Sequence, residues 1–346
     1  MTPDLVRPIA LTMGEPGGVG PELTLKAWIN RRGNGRPFVF VGCAALLREA
    51  SARFGLDIPV QTVQTSVEAS TLFSHALPVL DMRLVLDALP GLALPEHAAA
   101  VIACIERAVA LARTGAAAAV VTNPIHKNAM HQAGFAYPGH TEFLEALAGP
   151  PHRAIMMLAG AGLRVVPVTI HQSLRSAVND LTSEMIVETA IGAAVALHGD
   201  FGIERPRLAI AGLNPHAGEN GDMGDEEIAI IRPAVDQLRS RGLDVEGPLS
   251  PDTMFTARAR ARYDAAICMY HDQALIPLKT LDVDGGVNVT LGLPFIRTSP
   301  DHGTALDIAG KGIAEPGSLL AALRLAAELA SRKQGGRAPC ATSGSE

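Results

Sequence analysis

Ala265-Ala266-Ile267-Cys268-Met269-Tyr270-His271 reads as a short apolar strand that ends on an imidazole. Two more runs share the pattern. Val165-Val166-Pro167-Val168-Thr169-Ile170 leads to His171, and Leu208-Ala209-Ile210-Ala211-Gly212-Leu213 leads through Asn214-Pro215 to His216. The three histidines are 45 and 55 residues apart, which are βα-unit distances, so each belongs to a separate strand. In open α/β sheets, ligands gather outside the carboxyl ends of strands. Three imidazoles delivered there could share one metal with an open coordination position, the pattern of a catalytic site. Three unrelated strand-capping histidines are the plainer alternative.

Outward from these runs, short apolar segments alternate with longer Ala- and Leu-rich ones. Ile9 to Met13, Phe38 to Gly42 and Ala117 to Thr122 read as strands. Pro21 to Ile29, His97 to Arg113, Ser183 to His198, Asp225 to Arg241 and Ser318 to Ala330 read as helices. Ile155 to Ala159 and Val165 to Ile170 flank a glycine-containing turn, which suggests a hairpin. The alternation predicts α/β layers with a largely parallel sheet. Two domains are expected: 1–128 with 300–330, and an inserted 129–299. The Gly-, Pro- and Ser-bearing tail 331–346 has little to bury and is expected to be disordered.

The bulk properties narrow the function classes. A chain of 346 residues exceeds one ordinary core, and 48% hydrophobic with 18% charged residues is a globular composition. The net charge of −6 argues against a nucleic-acid or anionic-membrane surface. No apolar stretch is long enough to span a bilayer, and residues 1–8 carry no hydrophobic signal region. Cys43, Cys104, Cys268 and Cys340 form no CxxC pair, so reduced thiols in a cytoplasm are expected.

Several polar motifs sit between the predicted elements. Met13-Gly14-Glu15-Pro16-Gly17-Gly18-Val19-Gly20-Pro21-Glu22 joins the first strand to the first helix; it suits an anion at a helix start or a plain tight turn. Asn123-Pro124-Ile125-His126-Lys127 ends another strand. In Gly139-His140-Thr141-Glu142, His140 and Thr141 could donate to an anion, or Thr141 could serve as an N-cap. Asp272 could ligate a metal or orient a histidine. Lys279 is a charge clamp, a base or a solvated lysine. Gly285 to Ser299 mixes glycines with Asn288 and Arg297, and a guanidinium suits phosphate or carboxylate. Asp301 to Gly312 reads as a Gly-rich loop, a helical turn and a glycine stop.

Taken in order from Ile9 to Leu329, these segments resemble the PdxA family of vitamin B6 biosynthesis, the 4-hydroxythreonine-4-phosphate dehydrogenases. The His302-Gly303-Thr304-Ala305-Leu306-Asp307-Ile308-Ala309-Gly310 stretch also looks like the cofactor loop of isocitrate and isopropylmalate dehydrogenases. The resemblance implies two α/β/α domains with a cleft between them. It implies a homodimer with each active site at the subunit interface, and NAD, or alternatively NADP, as cofactor. It implies one divalent metal, zinc, magnesium, manganese or cobalt, on His171, His216 and His271. His140, Thr141, Lys279, Asn288 and Arg297 would contact a phosphorylated hydroxy amino acid. Gly14, Glu15, Asn288, His302, Gly303, Thr304 and Asp307 would contact the cofactor, with Lys279 and Asp272 in catalytic roles.

The implied reaction oxidises the C3 hydroxyl of 4-phosphooxy-L-threonine, with decarboxylation to 3-amino-2-oxopropyl phosphate. Alternatives within the class are dehydrogenases of four-carbon sugar-acid phosphates, such as D-erythronate or D-threonate 4-phosphate, or of a cyclic diol dicarboxylate. From other classes, a metal hydrolase conflicts with the 302–310 loop, and an acyltransferase needs no histidine metal site.

Overall fold

The structure is a computed structural model and describes residues 6–335. Twelve strands form one sheet. They are β1 (Ile9–Thr12), β2 (Phe38–Gly42), β3 (Val60–Thr62), β4 (Leu77–Asp81), β5 (Ala119–Thr122), β6 (Ile155–Gly160), β7 (Leu163–Thr169), β8 (Arg207–Ala211), β9 (Asp244–Leu249), β10 (Ala265–Tyr270), β11 (Val287–Leu291) and β12 (Arg297–Pro300). Their spatial order is β3-β4-β2-β1-β5-β12-β11-β6-β7-β10-β8-β9.

The sheet is mixed, which corrects the expectation of a largely parallel one. The blocks β3 to β12 and β7 to β9 in that order are each parallel inside. Three antiparallel pairs, β12–β11, β11–β6 and β6–β7, join them. The β6–β7 hairpin is the one expected. The β11–β12 hairpin is not marked by glycines alone; the alternation Val287, Val289, Leu291 against Asn288 and Thr290 carries it. An odd number of reversals points the two blocks in opposite directions.

The central parallel strands are mostly apolar, as strands covered on both faces must be, whereas the edge strands β3 and β9 are polar and partly exposed. β1 (Ile-Ala-Leu-Thr), β2 and β5 are buried at every position. The helix Ala98–Arg113 packs through Val101, Cys104, Ile105, Ala108 and Val109, spaced three and four apart. The helix Gly20–Arg31 starts with a proline in its first turn, where no amide partner is lost. Buried Glu22, two turns from its end, accepts from the Ala314 amide at 2.8 Å, and Lys26 donates to the Gly312 and Ala314 carbonyls. That clasp returns the 302–314 loop to the first helix.

Helix Gly317–Gly335 runs into the predicted tail. Residues 331–335 are therefore helical, continued by Ala326, Leu329 and Ala330 in the core, and the remainder of the expected tail lies outside the described residues. Residues 227–231 of the expected Asp225 to Arg241 helix form a π-helical turn, followed by the α-helix Arg232–Ser240. Cys43, Cys104 and Cys268 are buried and unbridged, and burial raises the Cys104 thiol to about 12, which suppresses thiolate chemistry. No helix among the described residues is long and apolar enough to cross a membrane.

Candidate active site

The helix His271–Leu281 leaves the carboxyl end of β10 and crosses the face of β7 toward the β6–β7 turn. There Asp282 accepts from the Ala161 amide at 3.2 Å. A cleft of about 420 Å³ opens along this helix, against the ends of β5 and β12 and the start of the helix His140–Ala148. All five expected substrate residues, His140, Thr141, Lys279, Asn288 and Arg297, line it, as do His171, His271, His302 and Gly303. They lie between positions 140 and 303 of the chain, and only the sheet order brings them together.

The cleft is polar and incompletely satisfied. Arg297 is 3% exposed and donates to Thr122 Oγ1 at 2.7 Å and Thr290 Oγ1 at 2.8 Å, while its Nε has no partner. Burial lowers its guanidinium to about 10. His140 Nε2, Asn288 Oδ1 and His302 Nε2 are also buried without a partner. Buried polar groups are ordinarily bonded, so such a set marks a polar ligand's place. Burial holds the His140 imidazole well below its ordinary value, and Arg297 and Lys127 add to this, so it is neutral. His171 is lowered by the same cause first, then by Lys127, with Glu142 opposing. Its backbone is left-handed, φ 52°, a strain that concentrates at functional sites.

Lys279 pairs with Asp301 at 3.2 Å. An ammonium held by a carboxylate beside the cleft suits a charge clamp. Asp272 lies outside the cleft, 70% exposed, and holds His271 Nδ1 at 2.7 Å. It therefore orients that ring, leaving Nε2 to face the cleft.

His216 departs from expectation. It is 59% exposed, against Asp252 at 4.0 Å, and does not line the cleft. His171 and His271 do stand together, their rings 6.0 Å apart. Among the described residues, no three His, Cys, Asp or Glu side chains are grouped to hold a metal. Within one chain two of the three expected ligands thus stand together and the third stands apart. The reason is local: residues 216–220 are all left-handed, with φ between 43° and 76°, so the chain turns aside after β8. Glu227, 1% exposed, holds this turn by accepting from the Leu213 and Asn214 amides at 2.7 and 2.8 Å and from Asn214 Nδ2 at 2.9 Å. Gln273 ties the same loop to the His271 helix: Nε2 donates to the Gly212 carbonyl, and Oε1 accepts from the Met269 amide.

Gly14 and Glu15, expected at the cofactor, are packed away from the cleft. A Cβ at Gly14 would stand 2.6 Å from the Pro124 carbonyl, and its φ is +70°, so close backbone approach and the left-handed conformation both require glycine. Glu15 is 3% exposed, accepts from the Gly17 amide and lies 4.0 Å from buried His97. Thr304 and Asp307 are likewise outside the cleft; the Thr304 carbonyl accepts from the Val19 amide. His302 and Gly303 do fit a nicotinamide-type ligand, given the partnerless His302 Nε2 and the open space over Gly303. Residues that sequence reasoning left without a role are Lys127, Glu142, Asp301 and Thr122, all on the cleft wall. The first three lie inside or beside motifs already noted; Thr122 ends an apolar strand and gives no signal.

A two-block α/β sheet with a polar cleft at its junction defines an α/β enzyme. Residues 34–326 match the family model for the pyridoxal phosphate biosynthetic protein PdxA. A 4-hydroxythreonine-4-phosphate dehydrogenase of Bradyrhizobium diazoefficiens is 51% identical, over 94% of this chain and 98% of its own. The crystal structure of a 4-hydroxythreonine-4-phosphate dehydrogenase from Klebsiella pneumoniae superposes with a TM-score of 0.85 at 42% identity, over 94% and 99% of the two chains. A terephthalate 1,2-cis-dihydrodiol dehydrogenase from Burkholderia xenovorans gives 0.63 at 30%, over 93% and 98%. The chain belongs to the PdxA family and is an oxidoreductase.

Proposed function

We propose that the chain oxidises the C3 hydroxyl of 4-phosphooxy-L-threonine in pyridoxal phosphate biosynthesis, with hydride passing to NAD⁺ or NADP⁺. The 2-amino-3-oxo-4-phosphooxybutanoate formed is a β-keto acid and loses CO₂ to give 3-amino-2-oxopropyl phosphate. The observation that carries this is the convergence of His140, Thr141, Lys279, Asn288 and Arg297 on one cleft with four partnerless buried polar atoms. A substrate with a phosphate, a hydroxyl, an amine and a carboxylate can satisfy them. Arg297 and Asn288 hold the substrate in register, neutral His140 donates from Nε2, and His302 and Gly303 border the nicotinamide. The higher likeness to the phosphate-acting relatives than to the dihydrodiol dehydrogenase supports a phosphorylated substrate.

We further infer a homodimer whose second copy brings His216 to the His171–His271 pair, so that one divalent metal is shared at the interface. An exposed His216 and an incomplete pair are what such a site leaves on one chain. The experiment is NADH formation from 4-phosphooxy-L-threonine, with and without a chelator, beside D-erythronate 4-phosphate. Turnover of the first substrate alone is expected, abolished by chelation. Turnover of the second alone would move the chain to a sugar-acid pathway, and chelator-insensitive turnover would sink the metal.

A further inference from the structure

Lys127 opens the helix Lys127–Gln132 directly after β5, and His126 caps that helix by accepting from the Ala129 amide at 3.2 Å. The position of the lysine is therefore fixed from its own side of the cleft. Its Cε and Nζ lie 3.3 and 3.5 Å from where a Cβ at Gly139 would stand. The ammonium thus lies over the residue that precedes the helix His140–Ala148, whose first turn has no side-chain cap. Its charge is felt by both His140 and His171. Lys279 is paired with Asp301, and two of the Arg297 nitrogens are engaged by threonine hydroxyls. Lys127 makes no ion pair or hydrogen bond among the described residues. Glu142 borders the same spot from the helix but stands beyond ion-pair reach of the lysine. The partnerless Arg297 Nε and His140 Nε2 point independently to a ligand here.

We propose that Lys127 is a further substrate-binding residue, the cation that holds the phosphate end of the substrate against the uncapped first turn of the His140–Ala148 helix. This rests on the functional reading above. A phosphate monoester carries between one and two charges and three acceptor oxygens. Helix amides, the Thr141 hydroxyl and a compact ammonium together match it.

The test compares Lys127→Met and Lys127→Arg with the parent enzyme on 4-phosphooxy-L-threonine and on 4-hydroxy-L-threonine, which lacks the phosphate. Inorganic phosphate serves as a competitive inhibitor. Lys127→Met should lower kcat/KM for the phosphorylated substrate by about tenfold or more, mainly through KM. It should weaken phosphate inhibition by a similar factor and cost the unphosphorylated alcohol much less. Lys127→Arg should restore part of both. Lys127→Gln, which keeps a polar chain of similar length without the charge, should show the same KM effect and covers a Lys127→Met protein that fails to fold. Equal losses on both substrates, or a kcat loss with an altered pH profile, would overturn the proposal. Failure of the parent enzyme on 4-phosphooxy-L-threonine would instead overturn the functional reading, while phosphate affinity measured by calorimetry would still judge Lys127.

Discussion

Arg297 carries a positive charge at 3% exposure with no carboxylate beside it. Burying such a group is costly unless a ligand compensates it, so its worth lies in binding. Arg297→Met should lower kcat/KM by about ten- to a hundredfold, the range of a charge-assisted contact, while the protein still melts cooperatively. Steady-state kinetics with a thermal melt separate the two; a collapse of the fold with substrate affinity intact would contradict it. Glu15 is the opposite case, a buried carboxyl away from the cleft. Burial raises it from 4.5 to about 7, with the Gly17 amide opposing. A raised folded-state value means that the folded chain binds the proton more tightly. The contribution is full below about 4.5 and is lost as pH rises through about 7. Glu15→Gln should therefore gain stability relative to the parent at pH 8.5 compared with pH 6, by roughly 1.4 kcal/mol. Urea midpoints at both values check it, and a pH-independent difference would refute the assignment.

The left-handed turn 216–220 is the element that sets this site apart. Four of its five residues have a Cβ, and each costs about 1–2 kcal/mol in that conformation. Glu227 offsets the cost with three accepted hydrogen bonds, aimed by the π-helical turn that begins on it. Glu227→Ala should destabilise by about 1–3 kcal/mol, since two part-buried amides lose their acceptor. Faster amide exchange should be confined at first to residues 212–221; unchanged exchange there would show that the turn holds itself. None of this was legible in Asn214-Pro215-His216-Ala217-Gly218-Glu219, which reads as an ordinary polar loop. Glu227 read as a helix residue, because handedness and acceptor geometry leave no mark on hydropathy. The strand-and-histidine pattern, by contrast, was plain, because Val165 to Pro167, Leu208 to Ala211 and Ala265 to Met269 are buried and apolar runs.

At the scale of the molecule, the reversal between the two parallel blocks places the helix His271–Leu281 across the sheet and opens the cleft beside it. If His216 serves a neighbour's His171 and His271, inactive His216→Ala and His171→Ala proteins should complement on mixing. Half of the random dimers would then hold one intact site of two, about a quarter of parent activity. No recovery after subunit exchange would place all three ligands in one chain or dispense with the metal. The sequence by itself determined the α/β class, the strand ends and nine cleft residues, because burial periodicity and side-chain chemistry are local properties. Tertiary structure alone decided that Lys127, Asp301 and Thr122 join them, that Glu15 is buried away from the cleft, and that His216 faces outward. Those outcomes depend on sheet order and backbone handedness, which are fixed by contacts between residues far apart in the chain.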